Sequence, residues 1–435
     1  MYIYFLLRLD FGFGSYYGDE IFYQKNSESF YQSGELSASF TYSGKGSKIG
    51  GFDAHGPAYP LLYSFLLMLK ASPSFHIPLT NLLVFGITIF ALAIKRTHLT
   101  QFPLQLLLIL GSPFTLFYGF SYMPELIHFS IGIGLYLLFS AYFKHESPSN
   151  LWFLLIGIGI AGLFRSTWFF AWVALGISLI PKKKWLGLGL MASGIGAALF
   201  YSSFFYEQTP NVFSNSLDLI QLNNWGRAIY EVYFNTKRNI YFLLHYTEGK
   251  YYWVWKIWVL VSLIFGLIYQ KKSKLIRLST LLLLIQLAFS VIIYKTYEWT
   301  DWRMLSPVTM LLNLGLIENR KLKYPSWLLV GLSLASFFLI LPFQQKIIGL
   351  RNDYTLPGIE KSVIEELKNL DQALIRIHPF VLEKYQLEEL PLVNHDGNIL
   401  RYILPFYELD EAPATHRLEI ENHQLIIRSE NILAQ

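Results

Sequence analysis

Two adjacent acids in Gly18-Asp19-Glu20-Ile21 open a polar stretch, residues 15–60, and Asp53-Ala54-His55-Gly56-Pro57 closes it. Packing gives no reason for neighbouring carboxylates beside an apolar segment. A loop carboxylate is suited to take a proton from an acceptor hydroxyl or amine, or to hold a divalent metal ion. His55 is suited to pair with a phosphate or to orient an acid. Each residue alone reads as ordinary: most loop acids are solvated, and a histidine before a proline-bounded helix start belongs to the cap region. Their concentration in one stretch points to a catalytic external loop, with Asp19 and Glu20 as the residues that would do chemistry or ligate a metal.

Arg165 lies between two apolar runs in Leu163-Phe164-Arg165-Ser166, with no acid nearby in sequence, and Arg303 begins another run in Asp301-Trp302-Arg303-Met304. A charge at membrane depth costs roughly 2.5–3.5 kcal/mol on insertion scales, so it faces a cavity or a partner, or snorkels to the interface. Guanidinium forks bind phosphate in a bidentate fashion, which makes His55, Arg165 and Arg303 candidates for a phosphate clamp. The plainer alternative for Arg303 is a local ion pair with Asp301. Glu125 follows a proline at the start of a run, where an acid complements the helix dipole, and His128, one turn later, faces the same cavity or fills the bundle. Asp53, Tyr122, Glu125, Trp225, Arg227 and Asp301 are further candidates for substrate contact. Trp225 and Arg227 belong to a long external segment, 206–251, whose interleaved aromatics and cations suit sugar and phosphate, and equally suit an interfacial aromatic belt.

Composition names the scaffold that must hold these groups. Of 435 residues, 53% are hydrophobic and 15% charged, against about 25% charged in an average soluble domain. Apolar runs at 78–94, 102–120, 125–143, 151–164, 167–180, 185–205, 252–269, 275–294, 304–317 and 326–343 are candidate membrane helices, ten of them, or eleven with a clipped first one. The expected fold class is an all-α polytopic membrane protein, with juxtamembrane helices in the first external loop and a small C-terminal α+β domain. The run 58–69 is too short to cross. With it left uncrossed, Lys95, Lys144, Lys182–Lys184, the Lys271–Arg277 group and Arg320–Lys323 fall on one face, the cytoplasmic one by the positive-inside rule. The acid loop, Arg165, Arg303, segment 206–251 and the C-terminus then share the other face. The formal charge of +5 has this topological explanation and does not point to nucleic acid. With no cysteine, disulfides and thiolate metal sites are excluded.

Before Arg8 only residues 1–7 are apolar, about 10 Å of helix, too short for a span or a secretory signal. The expectation is that most of a first span lies upstream. The apolar bundle is expected to occupy 1–343 and a small water-facing domain 344–435, with a helix over 357–370 and strands at 373–377, 417–420 and 424–428.

Gly18-Asp19-Glu20-Ile21-Phe22-Tyr23, His55-Gly56-Pro57-Ala58-Tyr59-Pro60, the Arg165 segment and Asp301-Trp302-Arg303-Met304-Leu305-Ser306-Pro307 together resemble the glycosyltransferase-C superfamily, in particular its protein O-mannosyltransferase and lipid A aminoarabinose transferase branch. That resemblance implies an inverting transfer of a sugar from a polyprenyl-phosphate donor to a lipid, protein or glycan acceptor. The site would lie on the extracytoplasmic side, most simply of a bacterial inner membrane. It further implies Asp19 as general base with Glu20 beside it, and His55, Arg165 and Arg303 on the donor phosphate. A glycine at 56 replaces the family's first proline. Cations near the departing phosphate stabilise the transition state more than the ground state, which agrees with this assignment. The rival readings are a polymerase or ligase of lipid-linked glycans, which would carry its large external loop late in the bundle; a transporter, which would show inverted repeats and mid-membrane charges; and a structural membrane subunit.

Overall fold

The computed structural model describes residues 57–69, 76–95, 101–119, 123–205, 212–245, 250–294 and 299–353, single positions and short strands before residue 57, residue 121, and strands in 375–429. By its internal contacts the chain divides into two units. One comprises Met1–Thr80, Phe120–Met123 and Pro342–Gln435, the other Asn81–Gly119 and Pro124–Leu341. The expected boundary at 343 falls inside a helix, α14 below, and the first 80 residues group with the tail.

The apolar runs are helical because a lipid environment leaves no other partner for backbone N–H and C=O groups. In chain order the helices are α1 (Ala58–Met68), α2 (His76–Ile94), α3 (Phe102–Leu110), α4 (Pro113–Tyr118), α5 (Glu125–His145), α6 (Pro148–Phe164) and α7 (Phe170–Leu179). They continue with α8 (Lys184–Phe205), α9 (Val212–Gln221), α10 (Trp225–Leu244), α11 (Lys250–Tyr269), α12 (Lys274–Ile292), α13 (Ser306–Glu318) and α14 (Lys323–Asp353). Six segments among the described residues, those of α2, α5, α8, α11, α12 and α14, are long and apolar enough to cross a membrane, and α6 and Ser166–Leu179 are shorter apolar helices. The chain is an integral membrane protein. The run 102–120 is two helices rather than one: Pro113 lacks an N–H, and Ser112 caps the second piece by accepting from the Phe114 N–H.

In the larger unit α5 and α13 run side by side in the same direction. Near their starts Gly132 lies so close to the Pro307 carbonyl that a Cβ there would meet its oxygen. Near their ends the Ser140 hydroxyl donates to Glu318 over 3.3 Å. The helices α7 and α8 cross through Gly176 and Gly187, each of which faces the other's carbonyl oxygen, the small-residue contact that lets membrane helices approach closely. The turn between α5 and α6 carries Glu146 in the left-handed region at φ 43°, a position that usually takes glycine. Its carboxylate bridges Lys182 and Lys274, so three helix ends are drawn together there.

Segment 206–251, expected as a loop, contains the helices α9 and α10. Its apolar residues recur at helical spacing among charges, the pattern of an amphipathic helix rather than a span. The pair turns at Asn223, φ 57°, a residue that tolerates the left-handed region.

The smaller unit contains α1, packed through Tyr59 and Tyr63 against Tyr23, and a buried hydrogen bond of 2.9 Å between the Ser27 hydroxyl and His76 Nε2. Tyr23, Asn26 and Ser27 are helical and buried, so part of the expected first loop is packed helix. The short strands β1 (Thr41–Tyr42) and β2 (Ser47–Lys48) pair antiparallel, and in the tail β3 (Ile375–Ile377), β4 (Tyr407–Leu409), β5 (His416–Glu421) and β6 (Gln424–Ser429) form one sheet in the order β4-β3-β5-β6. The hairpin β5–β6 is antiparallel and turns between Glu421 and Gln424, as expected around Asn422. The parallel strand β4 was not expected, and the expected helix over 357–370 lies outside the described residues.

Candidate functional site

The larger unit brings together three of the expected residues at one end of the bundle. Glu125 opens α5, Arg165 closes α6, and Arg303 sits in the 3₁₀ turn Trp299–Leu305 that leads into α13. Because α6 returns antiparallel to α5 through a short turn, its last residue comes back to the level of Glu125. Arg303 arrives at the same level because α13 runs parallel to α5. The Arg303 Nε–H donates to Glu125 Oε1 at 2.9 Å, and an Arg165 Nη lies 3.9 Å from the same oxygen. Glu125 is 6% exposed, Arg165 23% and Arg303 15%. The second carboxylate oxygen, Oε2, is buried with no hydrogen-bond partner among the described residues.

Two guanidinium groups thus converge on one carboxylate. Buried charges of this kind persist only when paired, and Arg303 has a partner 178 positions away in the sequence. The side chain of Asp301 lies outside the described residues. Tyr118, at the end of α4, is buried within electrostatic reach of Arg303 and Glu125. Sequence reading passed over it because a tyrosine in an aromatic run carries no distinguishing signal.

The surrounding bonds hold both arginines in place. After Arg165 the chain makes a 3₁₀ turn, Ser166–Phe169, closed by the Trp168 N–H donating to the Arg165 carbonyl at 2.9 Å. The Trp168 indole N–H donates to His128 Nδ1 at 3.3 Å, and the Gln286 amide on α12 donates to the Thr167 carbonyl at 3.1 Å. His128, fully buried, is therefore the post that ties the Arg165 turn to α5, with its other ring nitrogen carrying the proton. Beyond Arg303, the Trp255 indole on α11 donates to the Ser306 hydroxyl at 2.9 Å, and Trp302, next to Arg303 in the chain, is buried. Chemically, the arrangement is a preorganised cationic fork at a helix-bundle end. It can hold an anionic group, and an internal carboxylate sets its geometry.

Trp225 and Arg227 are on α10 and outside this cluster. Arg227 lines a shallow cleft of about 290 Å³ together with Asp218 and Glu231. Asp19, Glu20, Asp53, His55 and Tyr122 lie outside the described residues. The two acids that would hold a divalent metal are among them, and among the described residues no three metal-ligating side chains cluster.

No known protein-family model matches this chain, and no curated protein is significantly similar to it.

The basic clusters occupy the opposite end. Lys182, Lys271, Lys272, Lys274, Arg320 and Lys321 all flank helix ends on the Glu146 side, separated from Glu125 by the 21 residues of α5, about 30 Å at 1.5 Å per residue.

Proposed function

We propose that this protein is a membrane glycosyltransferase that moves a sugar from a polyprenyl-phosphate donor to a lipid, protein or glycan acceptor, with inversion. The observation that carries the reading is the convergence of Arg165 and Arg303 at one bundle end, on a single buried carboxylate. A lipid phosphate resting at the membrane boundary needs a cationic fork held rigidly at that depth, and charge-assisted bidentate contacts suit it. In this reading Arg165 and Arg303 neutralise the departing phosphate, and Glu125 sets their separation. Asp19 is assigned the general base, with Glu20 beside it, and His55 a further phosphate contact. A divalent metal, where one takes part, would be held by Asp19 and Glu20.

The lysine clusters at the far end support an orientation with those clusters cytoplasmic and the arginine fork extracytoplasmic. Ten crossings follow if α6, the Ser166–Leu179 segment, α13 and the broken α3–α4 pair cross as well as the six longer segments.

The test is transfer in proteoliposomes supplied with radiolabelled polyprenyl-phosphate sugars and an envelope acceptor fraction. Label incorporated by the wild type, lost in a folded Asp19→Asn and reduced in Arg303→Ala mainly through donor KM, supports the assignment. Equal label in wild type and Asp19→Asn removes the general base. No label with any donor removes the transferase.

A further inference from the structure

The helix α10 is anchored in an unusual way. On one face the Asn235 amide donates to the carbonyls of Ile292 and Tyr294 at 2.9 and 3.0 Å, and the Asn239 amide lies 2.6–3.1 Å from those of Ser290, Val291 and Tyr294. Ser290, Val291 and Ile292 carry the last carbonyls of α12, which have no partner within their own helix, and Tyr294 follows two residues after its end. The Asn235 side chain is oriented for this by Arg238, which donates to its Oδ1 at 2.7 Å. At the other end of α10, Lys256 on the second turn of α11 is buried and donates to the carbonyls of Phe242 and His245 at 2.6 and 3.2 Å. A cation at a helix C-terminus satisfies orphan carbonyls and complements the dipole. The helix is therefore fixed across the start of one membrane-crossing segment, α11, and the end of the next, α12, at the depth where both leave the bilayer.

The rest of its circumference is largely apolar, with Thr236 and the exposed Lys237 set within it, a lysine there being able to reach the headgroups by snorkelling. At 100° per residue, Trp225, Ile229, Tyr233, Ile240 and Leu244 fall within one arc of about 100°, and Ile229 and Leu244 are 68% and 65% exposed. Tyr230, Phe234 and Tyr241 widen that arc and are exposed too. A charged edge of Arg227, Glu231 and Arg238 separates it from the asparagine face. Tryptophan and tyrosine beside aliphatic residues are the chemistry of the headgroup boundary.

We propose that α10 is an in-plane membrane helix and that its aromatic face is covered by bilayer lipid rather than by another protein. Depth decides the occupant. The asparagines hold the helix level with the ends of α12 and α11, so an apolar face that leaves the bundle there meets the lipid boundary. The inference stands apart from the transferase reading, since it concerns an anchoring surface and not the reaction.

The chain contains no cysteine, so a single introduced cysteine carries a spin label at one defined place. Full-length Ile229→Cys, Tyr233→Cys, Arg227→Cys and, as a bilayer reference on α8, Phe200→Cys are labelled and reconstituted. Collision with oxygen, which partitions into lipid, is compared with collision with a water-soluble nickel chelate. The expected result is an oxygen-to-nickel ratio at 229 and 233 several-fold above that at 227 and close to that at 200. The depth read from it is about 5–10 Å below the headgroup boundary, as for interfacial helices. A nickel-accessible 229 and 233 would overturn the proposal. So would labels shielded from both reagents, or spin–spin broadening between copies, each of which would place protein on the face. On the unmodified chain, a photoactivatable lipid probe should give adducts within 225–244; a chain labelled on α8 but not there would also overturn it.

Discussion

The two ion pairs of the Glu125 cluster differ in a way that a double-mutant cycle reads directly. Arg303 makes a hydrogen bond of 2.9 Å to Glu125, whereas Arg165 stands 3.9 Å from the same oxygen, beyond hydrogen-bond range. Coulomb energy varies as 1/r, so it falls by only about a quarter between these distances. The hydrogen bond, worth roughly 1.5–3 kcal/mol for a charged pair, is present in the first pair alone. Truncating Arg303 to Gln should destabilise the folded state by about 3–5 kcal/mol, the usual consequence of breaking a buried pair. The cycle Glu125→Gln with Arg303→Gln should then show a coupling about 1.5–3 kcal/mol larger than the cycle with Arg165→Gln. The assay is reversible unfolding by SDS in mixed micelles, with helicity as the signal. Additivity within about 0.5 kcal/mol at both pairs would refute the cluster. An Arg165 coupling equal to that of Arg303 would refute the unequal geometry.

Gly132 sets the α5–α13 approach that brings Glu125 and Arg303 into contact, because a Cβ there would meet the Pro307 carbonyl backbone. Gly132→Ala should cost about 1–3 kcal/mol, as overpacking does, and should reduce the Glu125–Arg303 coupling; an unchanged coupling would separate the two. Hydrogen bonds from Lys274 and then Lys182 hold the Glu146 carboxyl below its ordinary value of 4.5. A depressed folded value means that its contribution is present above pH 4.5 and lost as the pH falls through the folded value. Glu146→Gln should therefore be less stable than wild type at pH 7, with the gap closing in acid; a gap that does not change with pH would exclude the bridge. Asn239→Leu strips the amide from the last carbonyls of α12, and hydrogen exchange should accelerate at the α12 end and along α10, while α7 and α8 exchange as before.

The residues themselves determine a good deal of this. Apolar runs of helix length locate the membrane helices, since lipid excludes every alternative for the backbone, and each expected run falls on one helix or two. The lysine and arginine clusters fall at one end of the bundle because they sit in every second turn between the runs. The tail hairpin follows from alternation and a polar turn. What no local pattern carries is pairing between helices. Arg165 has no acid near it in sequence, and Arg303 has Asp301 beside it, yet both are set against Glu125, because α5, α6 and α13 start or end at one level. Segment 206–251 reads as a loop when only uninterrupted apolar length is counted. Its helices need instead the period of 3.6 and a bundle that offers carbonyls to Asn235 and Asn239. The helix α14 likewise continues past Phe343 to Asp353, because its backbone bonds do not require the side chains to stay apolar. Sequence periodicity decides where helices form; only the contacts between them decide which charges meet, because an ion pair depends on separation in space and not along the chain.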